Sequence, residues 1–330
     1  MKKLLIASTA LVMVAGAAAA EVKLSGDARM GTLYDGDEWN FSSRARVIFT
    51  LSGTTDTGLE FGATFKTSDL RGDDVKDPRA GGRGTVFLSG AFGKITMGDV
   101  TSAPEELFGD LADVGYLGDD QGTAVSRIKD SALGTNAIPY LTLDNNTQSA
   151  VLYTYSAGAF SVAAAMTDGQ KNGVYDDKTK PGNDSEEDQA YSVAGAYTFG
   201  NYTVGLGYEK IDATDAKKDK AQTELAGMAK FGNTDVKAYY AIGDDANPVD
   251  DAIGVSVASA FGATTVKGYV QKASPIKGEN LGGGVDESVT WYGIGADYDL
   301  GGGAVIAAGL QDDNTPNSDM VANMGVKFKS

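Results

Sequence analysis

The chain has no cysteine and no histidine. Without cysteine there are no disulfides and no thiolate nucleophiles. Without histidine there is no imidazole base for a Ser–His–Asp triad, and most transition-metal sites lose their usual ligands. Paired Asp/Glu chemistry is the catalytic option left, but acids are so numerous that pairs such as Glu106 and Asp110 arise by chance, so an enzyme is not expected. The formal charge of −17 provides no basic face for nucleic acid. Past residue 21 no apolar run is long enough for a membrane-spanning helix. A mean hydropathy of −0.20 would ordinarily mean a water-soluble protein. A transmembrane barrel gives the same value, because only every second residue of its strands faces lipid.

The first twenty residues stand apart. Lys2 and Lys3 form a basic end, Leu4 to Val14 an apolar stretch, and Ala18-Ala19-Ala20 an A-x-A cleavage site. This pattern predicts a cleaved secretory signal over 1–20, ahead of a single barrel domain over 21–330. Losing the two signal lysines, with no acid beside them, takes the charge from −17 to −19.

What fills the rest is alternation. Val22, Leu24, Gly26, Ala28 and Met30 share one face of a first strand, with Lys23, Ser25, Asp27 and Arg29 on the other. A second strand sets Phe41, Ala45, Val47, Phe49 and Leu51 against Arg44, Arg46, Thr50 and Ser52. A third sets Leu59, Phe61, Ala63 and Phe65 against Glu60, Thr64 and Lys66. The rhythm continues through Tyr202-Val204-Leu206-Tyr208 to Ala322-Met324-Val326-Phe328. It predicts about sixteen strands, an even number as edge-free closure requires.

A repeated phrase punctuates them: Ala91-Phe92-Gly93, Thr198-Phe199-Gly200, Lys230-Phe231-Gly232 and Ala260-Phe261-Gly262. Each copy joins two alternating runs whose far ends meet in longer acidic loops. Short turn, strand, long loop, strand is the pattern of an antiparallel transmembrane barrel. The phenylalanines of these turns, with Tyr202, should form an aromatic girdle at the short-turn end, with Tyr34 and Trp39 at the opposite rim. Small residues read as outward, such as Ala163 to Ala165 and Gly205, would let barrels pack closely.

One connection is exceptional, running from about Val100 to Ser149. Loops of that length usually carry function. Ser102-Ala103-Pro104-Glu105 is a capping box with proline at the helix start. Leu107, Leu111 and Val114 would then form an apolar stripe, and Glu106, Asp110 and Asp113 a second, acidic face. The stripe needs a surface to cover it, and the barrel interior is the nearest. The expected fold is thus a closed all-β transmembrane barrel with an inward-folded third loop carrying a short helix.

Register arithmetic gathers the cations. A first hairpin centred between Asp35 and Asp37 places Arg29 opposite Arg44 and Asp27 opposite Arg46. The next turn, around Thr55 to Thr57, brings Lys66 close to Arg44. Like charges across neighbouring strands repel. Either solvation and Asp27 relieve them, or they serve as one wall of a constriction facing the loop acids, where charge decides what passes.

Several of these segments resemble the Rhodobacter-type general porins. They are Glu21 to Gly31, Trp39 to Arg44, Phe87 to Lys94, Leu107-Phe108-Gly109-Asp110, Tyr153 to Phe160, Thr198 to Tyr202 and Pro316 to Ala322. The resemblance implies a sixteen-stranded homotrimer of the Gram-negative outer membrane. It would sit among outer-membrane lipid and lipopolysaccharide and pass small hydrophilic solutes and ions by passive diffusion. It implies that Arg29, Arg44, Arg46 and Lys66 form the basic wall of the constriction, facing Glu106, Asp110 and Asp113 on the third loop. No cofactor is required; the family carries calcium among such loop acids, and the resemblance fixes no ligands. The segment Leu117 to Asn136 and the fourth loop are individual to this chain, and Ser330 stands where the family closes with an aromatic. A solute-selective channel with a pore binding site, or a structural or adhesive surface protein, are the alternatives.

Overall fold

The structure is a computed structural model that describes residues 21–67, 84–117, 136–141, 148–171, 189–213, 219–244, 246–247, 249–275, 288–312 and 320–329. The expected signal over 1–20, most of the Leu117 to Asn136 segment, the fourth-loop residues 172–188 and Ser330 lie outside the described residues.

The first strands are β1 (Glu21–Tyr34), β2 (Trp39–Thr54), β3 (Glu60–Lys66), β4 (Thr85–Gly90) and β5 (Gly93–Gly98). A short helix, α1 (Ala103–Phe108), follows. Next come β6 (Gln148–Ala157), β7 (Phe160–Lys171), β8 (Gln189–Phe199), β9 (Tyr202–Asp212) and β10 (Lys220–Phe231). The last are β11 (Thr234–Gly243), β12 (Val249–Phe261), β13 (Thr264–Pro275), β14 (Val289–Gly301), β15 (Ala304–Asp312) and β16 (Val321–Lys329). Each pairs antiparallel with its sequence neighbours, and β1 pairs with β16 to close the barrel. Closure leaves no strand edge unpaired, as a wall facing hydrocarbon demands.

The period of two sorts the side chains. Along β9, Tyr202, Val204, Leu206 and Tyr208 are exposed on the outer wall, while Gly205, Gly207 and Glu209 face the lumen. The repeated phrase is explained by its turns. Phe199 pairs with Tyr202, Phe231 with Thr234 and Phe261 with Thr264, so only two residues lie in each loop. The first of the two is Gly200, Gly232 or Gly262, at φ 60, 60 and 64°. Such two-residue hairpins need positive φ there, which glycine supplies without strain. The first copy departs, since Gly90 pairs with Gly93 and Phe92 lies within the turn itself.

Rings line the short-turn end as expected. Phe160, Tyr197, Phe199, Tyr202 and Phe231 follow one another with centroids 4.6 to 6.1 Å apart. At the opposite rim Tyr34 lies 5.4 Å from Trp39. The outward reading of the small residues is corrected: Ala163, Ala165 and Gly205 face the lumen, and only Ala164 points outward. Their smallness serves the inside of the barrel.

Candidate functional site

The third loop runs round the inner wall, and the wall is cut to receive it. Ser102 caps α1, its side chain accepting from the Glu105 amide at 3.4 Å, and Pro104 stands in the first turn. The Ala103 amide donates to Ser192 Oγ of β8 at 2.9 Å. Phe108 is buried among Ala163, Ala165, Ala194 and Ala226. A Cβ at Gly205 would run into the Phe108 ring, and one at Gly207 would lie 2.6 Å from Pro104. These inward glycines are seats for the helix. Gly205→Leu is therefore expected to lift α1 from the wall while the barrel still assembles, an overpacking cost of about 1–3 kcal/mol. Limited proteolysis of the native protein should then cut the third loop; resistance equal to the wild type would show that α1 stays seated.

The helix is shorter than its stripe implied. It ends at Phe108, and Gly109 leaves it at φ 55°. Lys237 of β11 meets the chain at this end, its Nζ donating to the carbonyls of Phe108 and Asp110. A lysine at a helix C-terminus takes up carbonyls that have no intrahelical partner. Leu107 is half-buried, Phe108 is the anchor on α1, and Leu111 and Val114 are buried from the irregular backbone beyond it. Leu111 packs with Tyr239, Tyr269 and Trp291, and Val114 fits against Gly295 and Gly309.

Further contacts carry the segment to the far side of the barrel. Gln311 Nε2 donates to Val114 O at 3.0 Å, and the Tyr116 amide donates to Asn323 Oδ1 at 2.8 Å. Lys327 donates to Gly115 O at 3.3 Å, and Arg29 to Leu117 O. A returning segment, residues 136–141, fastens the first. The Ile138 amide donates to Asp110 Oδ1 at 3.0 Å, Tyr140 OH to Gly109 O at 3.1 Å, and the Leu141 amide to Glu209 at 2.7 Å. Burial, reinforced by the charge on Asp110, raises the pKa of the Tyr140 phenol, so it stays a donor.

The three acids expected to share one helix face are thus dispersed. Glu106 is exposed on α1, with Thr101 Oγ1 donating to it at 3.4 Å. Asp110 lies beyond the helix, half-buried, with its carboxylate holding the returning segment. Asp113 is half-buried where its charge acts on Arg29. Beneath Asp110 a cavity of about 390 Å³ opens between Thr203, Lys237 and Ser256.

The cations gather as the register arithmetic predicts, with one correction. Arg29 pairs with Arg44 and Asp27 with Arg46. Asp27 holds both arginines, Arg44 at 3.2 Å and Arg46 at 3.0 Å. Lys66, however, pairs with Ile48, two positions further from Arg44 than the turn around Thr55 to Thr57 would place it. Gly58 at φ 83° shifts the turn: its amide donates to Thr55 O, and the Thr55 amide to Leu59 O.

Lys237 and Lys327, which grip the loop backbone, escaped the sequence reading, although both lie in the inward phase of their strands. Inward glycines were the other missed signal.

Chains of known kind share this architecture. A family model described as Gram-negative porin matches residues 7–318. A porin of Rhodobacter capsulatus is 54% identical over 337 residues, covering 94% of this chain and all of the relative. A porin structure refined at 1.8 Å is 52% identical and superposes with a TM-score of 0.77, over 94% of this chain and all of that one. A triple-mutant porin of Rhodopseudomonas blastica, 21% identical with a TM-score of 0.62 over the same coverage, shares the fold. A closed barrel of 16 antiparallel strands, a third loop laid against its inner wall and these likenesses agree: the chain belongs to the Gram-negative porin family and is an outer-membrane channel.

Proposed function

We propose that this channel passes small hydrophilic solutes and ions by passive diffusion through a constriction between two walls. One is the basic wall of Arg29, Arg44, Arg46 and Lys66; the other is the third loop bearing Glu106, Asp110 and Asp113. The observation that carries this reading is the course of the loop. Its hydrogen bonds pass from Ser192 of β8 to Arg29 of β1, along the wall that runs through β16, a course that supports a passage beside the β1–β3 cations. Opposed charges across such a passage orient polar solutes and disfavour apolar ones. The reading involves no cofactor and no chemistry on the solute.

The channel works as a homotrimer in this reading. Strands β4 and β5 have only 6 residues each, whereas a tilted strand needs about 9–11 to cross the hydrocarbon. Their outward faces are nonetheless apolar, with Val86, Leu88, Ile95 and Met97 exposed. A low apolar wall suits a protein neighbour better than lipid.

Single-channel recording in a planar bilayer tests both parts. Ohmic conductance that falls smoothly as neutral sugars of increasing size are added supports diffusion. Saturation or block by one solute would support a selective channel with a binding site instead. Unboiled protein should run in detergent gels as a larger species than boiled protein, and a monomer mass by light scattering would remove the trimer.

A further inference from the structure

The outer wall carries a feature that neither conduction nor the third loop uses. Strand pairing sets outward residues of β9 to β14 in lateral rows. One row reads Val204, Gly227, Ala238, Val255, Val270, Tyr292. Gly227 and Ala238 sink a notch into it between Val204 and Val255. The notch belongs to an apolar groove of about 590 Å³ on this wall, whose lining reaches Lys272.

Nothing inside the fold requires the glycine. A Cβ at Gly227 would meet no atom within 4 Å, so packing leaves room for a side chain. Its φ lies outside the left-handed region, so the backbone does not demand glycine either. Glycine within a strand weakens it, and often marks a place where a ligand approaches the backbone.

Lys272 supplies the second half. It stands in the row above, paired with Ile253 and Thr290, exposed and outward. It makes no ion pair with any described residue. It lies near the long-loop end of β13, the outer-leaflet side of the membrane. A lysine on the lipid face is costly at mid-membrane and tolerable near the interface, where its stem lies on apolar surface and its ammonium meets headgroups. Two strand spacings separate it laterally from Ala238 and three from Gly227, about 10 to 14 Å. That suits a lipid whose phosphate rests at the ammonium and whose chain descends into the groove.

We propose that this groove binds one acyl chain of an anionic outer-leaflet lipid, an acylated phosphoglycolipid, with its phosphate on Lys272. The site centres on β11 and β12, half-way round the barrel from the low β4–β5 wall, so a neighbouring subunit there leaves it facing lipid.

The test is native mass spectrometry of the intact protein, exchanged from detergent into lipid A or into phosphatidylcholine. Wild type should retain lipid A in preference to phosphatidylcholine. Lys272→Gln should lower that retention about fivefold, the size of one lysine's attraction to an anionic lipid surface. Gly227→Leu, which fills open space and so folds, should lower it independently. Both variants should keep wild-type conductance, which separates this site from the channel itself. Equal retention of the two lipids, or lipid A retention that survives either substitution, would overturn the proposal.

Discussion

Deleting residues 103–136 should raise single-channel conductance roughly two- to threefold and admit larger sugars, because a barrel of this size leaves an aqueous channel once nothing crosses it. The deletion removes α1, the irregular stretch gripped by Lys237, Lys327 and Arg29, and the start of the returning segment. The barrel itself should survive, since all 16 strands pair without any contribution from the loop. Its inner wall would then expose Leu152, Tyr239 and Trp291, now buried, so a lower melting temperature should accompany the wider pore. Unchanged conductance in correctly assembled protein would place the loop outside the conducting path.

The second large effect concerns charge. The chain carries −17 overall, so cations should be enriched at its mouths and a weak cation preference should appear at low salt. The basic wall opposes this only locally. Neutralising Arg29, Arg44 and Arg46 together leaves Lys66 and an unopposed Asp27 on that wall. Each removed charge acts on an ion ~10 Å away with ~0.4 kcal/mol in water. Three of them shift a cation and an anion by ~1.2 kcal/mol in opposite directions, and screening at 0.1 M cuts this to about a third, so the cation-to-anion permeability ratio should rise roughly four- to fivefold; the change should vanish at 1 M salt, where the Debye length is ~3 Å. Reversal potentials across a salt gradient measure it. Because Arg29 also holds Leu117, the pair Arg44→Gln and Arg46→Gln separates charge from loop position. Anion preference in the wild type, or no shift in the variants, would contradict the assignment.

The strands were legible because their signal is periodic and repeated: a face of Val22, Leu24, Ala28 and Met30 cannot slip by one residue without burying Lys23 and Asp27 in lipid. The β1–β2 register was legible because a tight hairpin allows one centre. Where a single glycine decides geometry the reading failed. Gly58 moved Lys66 by two positions, and Gly109, with the distant Lys237 taking its neighbours' carbonyls, ended the helix before the acids could share a face. Side-chain periodicity carries neither a turn's backbone angles nor a distant cation. Among the small residues, Ala163, Ala165 and Gly205 were misread because smallness fits both a barrel-to-barrel contact and a seat for a loop; their phase in the strand distinguishes the two.

The grip on residues 115–117 bears on the order of events in assembly. Gly115 is held by Lys327 and Tyr116 by Asn323, both on β16, while Leu117 is held by Arg29 on β1. These strands are the first and last of the chain, and their pairing is the seam that closes the cylinder. The loop cannot take its final course until that seam exists, because its partners lie on both sides of it. Once docked, it works as a suture: parting β1 from β16 means first freeing the loop. Docking of the third loop therefore marks the end of closure, and its bonds add a barrier to unzipping in the one place where the barrel has no covalent turn.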